Sequence, residues 1–321
     1  MQELTLTPPH VLFQNQVDVL LSSLPAARDA DVESVHLARV ATRRIREALP
    51  LFMRNCPKDV DRIKYLIKRA GRRLGRVREL DVMEEGLVRR AMRLPSAMHA
   101  IGVARRQLDR ERNRARRRLV KVLDGLALDR EEKLRLSQMR HGWHLFRRDS
   151  GYGWEPVLRY RIGDRADGLR DTVNHATRVY FPNRLHQVRI AAKKLRYSLE
   201  LAQQSGLWRP LRVLGDLKRA QDALGRVHDA QVLFDATDEL MLDSGVDARQ
   251  TQLLKDDLEG EIAERHAEYL ELRDRLREIC NVCREYGARP GQPHRSVRTP
   301  LIAASALAVP AGLLVLGARA R

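Results

Sequence analysis

Apolar residues recur every three or four positions along most of the chain. The pattern is continuous over six stretches: residues 35–51, 59–75, 100–123, 183–201, 211–224 and 251–286. This spacing places apolar side chains on one face of an α-helix, whereas a half-buried strand alternates at every second residue. No long alternating stretch occurs, so the sequence predicts an all-α fold.

Gly and Pro cluster where this periodicity stops. The breaks are "NCP" at 55–57, "RLP" at 93–95, "SGYGWEP" at 150–156, "YFPN" at 180–183 and "GLWRP" at 206–210. Such residues favour turns and interrupt helices. Because the break at 150–156 lies near the middle of the chain, we take it as the join between a first helical half, 1–150, and a second, 151–287.

The two halves repeat one another. "VHLARVATRRIREAL" at 35–49 and "LHQVRIAAKKLRYSL" at 185–199 lie 150 positions apart. The same offset aligns both copies of "KRA" and both copies of "LGRV" further along, without a gap. Because a constant offset persists through two helices and their connection, the sequence predicts an internally duplicated helical bundle.

The repeated helices carry basic stripes, each headed by a histidine. At 100° per residue, the first stripe spans an arc of about 80°. Its members and those of the second copy are His36, Arg39, Arg43 and Arg46 with Arg44 on the flank, and His186, Arg189, Lys193 and Arg196 with Lys194. The following helices carry cations seven residues apart, which are Arg62, Arg69 and Arg76, and Arg212, Arg219 and Arg226. Packing like charges together is unfavourable without a counter-charge, so we expect a bound anion.

The overall composition agrees with an anionic partner. The 321 residues include 60 Lys and Arg against 42 Asp and Glu, giving a net charge of +18. Such an excess favours nucleic acid, a phosphate polymer or an anionic membrane surface. Aromatic residues make up 5% of the chain, and the stripes hold few rings on which bases could stack. The residues alone leave phosphate polymer and nucleic acid both open.

Three segments resemble the signature segments of CHAD domains, the conserved-histidine α-helical domains. They are "VHLARVATRRIR" at 35–46, "LHQVRIAAKKLRYSLE" at 185–200 and "LKRAQDALGRVHDAQVL" at 217–233, and the similarity spans about residues 10–285. The resemblance implies two bundle halves related by a pseudo-two-fold axis around a basic central groove or pore. It also implies binding of inorganic polyphosphate and association with polyphosphate granules.

The resemblance implies a polyphosphate-binding role for the matching cations and histidines. These are His36, Arg39, Arg43, Arg44, Arg46, Arg62, Arg69, Arg76, His186, Arg189, Lys193, Lys194, Arg196, Arg212, Lys218, Arg219, Arg226 and His228. The halves differ at one position, because Arg78 stands where the second half has His228. The two halves therefore need not contribute equally.

Motifs for catalysis or cofactor binding are missing from the sequence. No P-loop, nucleophile elbow or paired-carboxylate motif occurs, so we expect binding without catalysis and without a cofactor. Cys280 and Cys283 form a single pair, too little for a metal site. We interpret His228 and Asp229 as a local pair that orients a helix end. Without a signal peptide or disulfide framework, the cytoplasm is the expected compartment.

The charge of the outer helices and the end of the chain add two open points. Residues 101–123 hold nine basic and two acidic residues, whereas 251–279 hold nine acidic and five basic. The acidic helix either braces a basic neighbour or is an ordinary solvated face. A basic Pro and Gly linker, 288–300, precedes the uncharged segment 301–318, about 27 Å long as a helix. That segment is a membrane or granule anchor, a soluble packing segment or disordered.

Overall fold

The computed structural model describes residues 7, 9–29, 31–52, 58–128, 154–241 and 245–288. Within these residues the chain forms eight α-helices, one short 3-10 helix and no strand, which confirms the all-α prediction. The α-helices are α1 Pro9–Arg28, α2 Val32–Phe52, α3 Lys58–Arg93, α4 Met98–Leu128, α5 Trp154–His175, α6 Pro182–Gln204, α7 Leu211–Met241 and α8 Ala248–Gly287. The 3-10 helix, Pro95–Ala97, joins α3 to α4.

Most of the predicted breaks coincide with helix ends. Helix α3 ends at Arg93, two residues before Pro95, and α6 begins at Pro182, where a missing N–H leaves no helical hydrogen bond unmade. The break at 206–210 separates α6 from α7. The break at 150–156 ends earlier than predicted, because Pro156 is tolerated in the first turn of α5. The break at 55–57 lies outside the described residues.

Two helices were not predicted, α1 and α5. The buried residues of α5 are Leu158, Ile162, Ala166, Leu169 and Val173. They form a stripe only one residue wide per turn, and the arginines between them obscure the periodicity. Helix α1 has the same narrow pattern.

Both predicted halves contribute to one apolar core. Val35 and Ile45 of α2, Leu195 and Leu199 of α6 and Leu276 of α8 belong to the same buried cluster. A second cluster joins α3, α4, α7 and α8. Residues up to 289 thus form one compact unit in which α2 of the first half contacts α6 of the second. The duplication and its pseudo-two-fold axis stay predictions from the sequence.

The acidic helix α8 braces the end of α3. Asp257 accepts hydrogen bonds from Arg90 Nε at 2.8 Å and from Arg93 at 2.6 Å, and Glu261 also binds Arg90. Arg90 is almost fully buried. Its positive charge is therefore compensated inside the protein.

None of the helices in the described ranges is both long and apolar enough to cross a membrane. Residues 289–300 of the linker and the apolar segment 301–318 lie outside those ranges, so the expectation of an anchor there stays a prediction.

Candidate functional site

Helices α2 and α6 bring cations of both repeats together. Arg39 and Arg43 come from α2, Arg189 and Lys193 from α6, and all four are half-buried. Burial, followed by the charges of Arg43 and Arg189, lowers the pKa of Arg39 to about 10. Burial, followed by the charges of Arg189, Arg43 and Arg39, lowers the pKa of Lys193 to about 6. We call these four residues the central cluster.

Two glycines of α3 allow α2 to approach closely at this point. A Cβ atom at Gly75 would lie 3.7 Å from Nε of Arg39, and one at Gly71 would lie 3.1 Å from Oγ1 of Thr42. Thr42 is fully buried, so a larger residue at Gly71 would push α2 away. The Arg39 side chain thus crosses α3 at Gly75.

Helix α7 contributes His228 and Asp229. Burial, followed by the charge of Arg189, lowers the pKa of His228 to about 3. A terminal nitrogen of Arg189 lies 3.9 Å from Oδ1 of Asp229. Burial raises the pKa of Asp229, and the surrounding cations oppose this effect. We interpreted the pair as one that orients a helix end. That interpretation is wrong, because both residues lie in the interior of α7.

Helix α3 adds Arg78, the residue that replaces a histidine in the first half. Its charge is among those that lower the pKa of Arg39. His36 lies exposed at the edge of the cluster, and the local burial of its ring, followed by the charge of Arg78, lowers its pKa. Arg78 also forms an ion pair of 2.8 Å with Glu85. The first half therefore supplies more fixed positive charge than the second at this position.

The positive charges of the central cluster have few carboxylates near them. Within the described parts of the chain, Arg39, Arg43 and Lys193 have no carboxylate within 4.0 Å, and only Asp229 approaches Arg189. Arg guanidinium groups bind two oxygens in a fork, and an ammonium binds as a mobile point charge. The arrangement is thus suited to an anion with many oxygens.

Two other cations of the repeats, Arg44 and Arg196, face a carboxylate. Glu200 lies 3.5 Å from Arg44 and 3.1 Å from Arg196. Arg161 of α5 donates a 2.7 Å hydrogen bond to Glu47. Two further cations, Arg46 and Lys194, are exposed.

Lys194 belongs electrostatically to this second group. Burial, followed by the charge of Arg165, lowers its pKa, and Glu47 opposes the shift. Arg46 lowers it further. Arg44, Lys194 and Arg196 therefore have carboxylates near them, unlike most of the central cluster.

Tyr197 lies between the two groups. The guanidinium carbon of Arg43 is 5.3 Å from its ring centroid, and that of Arg196 is 5.6 Å from it. Such distances allow cation–π attraction. From the sequence, Tyr197 was only a lone aromatic residue in the basic stripes. The contacts of Glu200 with Arg44 and of Glu47 with Arg161 were not predicted.

The stripes on the second helices are on the outside of the protein. Their described members, all exposed, are Arg69, Arg76, Arg212, Lys218, Arg219 and Arg226. Arg76 pairs with Glu79 at 2.7 Å and Glu111 at 2.9 Å, and Arg219 pairs with Asp216. Arg226 lies 4.0 Å from Glu268. The structure does not bring these residues to the central cluster, and the Arg62 side chain lies outside the described residues.

Cys280 and Cys283 are buried in the apolar core. Burial raises the pKa of both thiols to about 12, so they are protonated. Among the residues described, no three His, Cys, Asp or Glu side chains are arranged to hold a metal ion.

An all-helical fold around a cluster of cations from two similar helices is the arrangement expected of CHAD domains. The CHAD domain family matches residues 11–238, and the chain belongs to this family. No curated protein matches the chain.

Two solved structures share the fold. The CHAD domain from the plant Ricinus communis has a TM-score of 0.62 and 23% identity, covering 84% of this chain and 89% of that chain. PptA from Streptomyces chartreusis has a TM-score of 0.59 and 19% identity, covering 82% of this chain and 96% of that chain.

Proposed function

We propose that this CHAD protein binds inorganic polyphosphate, without cleaving it, through the central cluster. The observation that carries the proposal is the low pKa of Lys193, about 6, beside three arginines and a single nearby carboxylate, Asp229. Leaving buried cations uncompensated is costly, and a bound polyanion removes that cost.

A phosphate chain fits these residues better than a nucleic acid does. Polyphosphate needs many charge-assisted contacts and no recognition of bases. The phenol ring of Tyr197, which lies beside the cluster, already faces the guanidinium groups of Arg43 and Arg196. It is therefore poorly placed to stack on a base, the contact that single-stranded nucleic acids commonly need.

The same residues support binding rather than turnover. Asp229 lies 3.9 Å from Arg189, and burial lowers the pKa of the neighbouring His228 to about 3, so this ring is neutral at neutral pH and cannot act as a general acid. Retention of intact chains would place the protein at polyphosphate granules in the cell.

The test compares two fourfold variants that lose the same charge. One replaces Arg39, Arg43, Arg189 and Lys193 by Gln. The other replaces scattered exposed arginines by Gln, and these are Arg89, Arg178, Arg209 and Arg249. Binding of labelled long-chain polyphosphate is measured at several salt concentrations, and circular dichroism checks that both variants stay helical.

We expect the central variant to bind more than about 100-fold more weakly, since two lost charge-assisted contacts alone cost about 3 kcal/mol. The scattered variant should stay close to wild type. Normal binding by the central variant would reject the proposal. Equal displacement of polyphosphate by duplex DNA would favour nucleic acid, and shortening of the chain on a gel would indicate an enzyme.

A further inference from the structure

A second group of cations lies on the outer surface of the first half. Eight exposed residues form it: Lys68, Arg69, Arg72 and Arg73 of α3, and Arg114, Arg117, Arg118 and Lys121 of α4. We call them the outer track. Within the described ranges, none of the eight has a carboxylate within 4.0 Å, although 21 other described cations do, among them Arg76, Arg105 and Arg112.

Ion pairs between α3 and α4 set the register of the two rows. Arg105 binds Glu84 at 2.7 Å, and Arg112 binds Asp81 at 2.9 Å, so residue numbers fall along α3 as they rise along α4. Continued in the same register, residues 68–73 lie beside residues 114–121. The two rows therefore run side by side on neighbouring helices.

The outer track begins next to the central cluster. Arg39 crosses α3 at Gly75. At 100° per residue, Lys68 and Arg72 lie about 20° and 60° around the helix from Gly75, and Arg69 and Arg73 lie about 120° and 160° from it. The cations thus continue in steps around α3, from the side that faces α2 to the side that faces α4.

The second half matches this surface only at Lys218 and Arg219, which stand where the first half has Lys68 and Arg69. The offset of 150 places Asp222 and Ala223 where the first half has Arg72 and Arg73. Its outer helix α8 instead exposes the carboxylates Asp256, Glu259, Glu271, Asp274 and Glu278. A polyanion that leaves the central cluster is therefore attracted to one side of the protein and repelled from the other.

A second copy of the chain is a poorer occupant for the outer track. The net charge of +18 opposes association of two copies. In addition, two of the α8 carboxylates, Glu278 and Asp274, already pair with Arg275 at 2.6 Å and Arg277 at 2.8 Å.

We propose that the outer track is a second binding segment for the same phosphate polymer, so that a chain held at the central cluster continues over α3 onto α4. This inference rests on the proposed function. Once one part of a chain is bound, the rest is present near the track at high effective concentration. Affinity should therefore rise with chain length, and the track should act on long chains only.

The test uses a variant with Arg72, Arg73, Arg117 and Arg118 replaced by Gln. Its control is the scattered variant that lacks Arg89, Arg178, Arg209 and Arg249. Each is titrated with tripolyphosphate, with long-chain polyphosphate and with duplex DNA over a range of salt concentrations. For the track variant we expect long-chain affinity to fall about tenfold or more, and the slope of log affinity against log salt to fall by about 3. Tripolyphosphate affinity should match that of the control.

The outcomes separate the two proposals. Equal long-chain affinities in the track and scattered variants would overturn the outer track while leaving polyphosphate binding in place. Failure of the unchanged protein to bind either ligand would instead remove the proposed function. Loss of duplex DNA binding with intact long-chain polyphosphate binding would assign the track to nucleic acid and overturn this inference.

Discussion

The imidazole rings of His186 on α6 and His228 on α7 lie with their centroids 4.6 Å apart and their planes tilted by 40°. Burial, followed by the charge of Arg189, lowers the pKa of both rings, to about 3 for His228. In the free protein His228 is therefore neutral near pH 7. The positive charge of the site comes from its arginines, and His228 offers hydrogen bonds instead.

The stability of the protein should fall in mild acid because of His228. In the unfolded chain this group titrates near 6.5, so below that pH the unfolded state binds the proton first. The free energy of unfolding should decrease from pH 6.5 towards pH 3, by up to about 1.4 kcal/mol per pH unit from this group. Between about pH 5 and 7, the free energy of unfolding in urea should depend less steeply on pH in His228→Asn than in the wild type. The exposed His99→Asn variant should keep the wild-type slope, and an unchanged slope in His228→Asn would refute the prediction.

Replacing Lys193 by Met should stabilise the free protein and weaken polyphosphate binding. The pKa of Lys193 falls from 10.5 to about 6 on folding, so its charge opposes folding below pH 10.5. The free energy of unfolding at pH 7 should rise by about 1–3 kcal/mol in Lys193→Met, with about tenfold weaker binding from one lost charged contact. Denaturant titration at pH 7 and pH 10 tests this. The free energy of unfolding of the wild type should rise with pH over that range, so the difference between Lys193→Met and the wild type should shrink.

Lys218→Met, on the exposed side of α7, is the control for that experiment. It should change neither stability nor affinity noticeably. A Lys193→Met variant that is less stable than wild type, yet binds as well, would show that the amine is not repelled in the free protein.

The fold was predictable where the apolar stripes are wide. Helices α2 and α6 bury residues such as Val35, Ile45, Leu195 and Leu199 at helical spacing, and this pattern was found from the sequence. Helix α5 buries one residue per turn among arginines, a pattern that local periodicity does not separate from a polar segment. Its packing against the rest of the protein makes it a helix, and that information is not local.

The candidate site was predictable only in part, because a helical wheel does not say what faces each stripe. It placed Arg39 and Arg43 on one arc and Arg44 on the flank of that arc, and the family resemblance gave Arg44 the same binding role. In the structure Arg44 faces Glu200, which is 156 residues away along the chain. Glu47 and Glu200 lie in the repeated segments themselves, but Arg44 and Glu200 are far apart in sequence, so their contact is found only once the helices are packed.

Replacing Asp229 by Asn should strengthen polyphosphate binding with little change in stability. Asp229 Oδ1 lies 3.9 Å from Arg189, and no other carboxylate in the described residues approaches the central cluster as closely. Loss of its charge leaves the cations repelling one another, but burial raises the pKa of Asp229, so its charged form is itself disfavoured in the folded protein. These effects oppose each other, and the free energy of unfolding should change by less than about 1 kcal/mol. Affinity for polyphosphate should rise several-fold, since the ligand no longer meets a resident negative charge. Thermal unfolding with and without polyphosphate measures both effects.

The exposed Asp222→Asn variant, on the same helix, removes an equal charge and serves as the control. It should leave stability within about 0.5 kcal/mol of wild type. Weaker polyphosphate binding by Asp229→Asn would show that Asp229 positions Arg189 for the ligand rather than competing with it.

Arg90 offers a test of stability that is independent of the ligand. Its side chain is 3% exposed and binds Asp257 and Glu261 of α8, next to the second apolar cluster. Replacing Arg90 by Met removes the main partner of two half-buried carboxylates, and among the described residues only Arg93 remains near them. This should destabilise the protein by about 3 kcal/mol.

The exposed neighbour Arg89→Met is the control, and urea unfolding is the measurement. Replacing Arg90, Asp257 and Glu261 together by apolar residues should recover most of the loss, because desolvating an ion pair costs about as much as the pair returns. Polyphosphate affinity should stay unchanged in all of these variants. A drop in affinity with Arg90→Met, despite a folded protein at the assay temperature, would mean that the α3–α8 contact also positions the binding residues of α3.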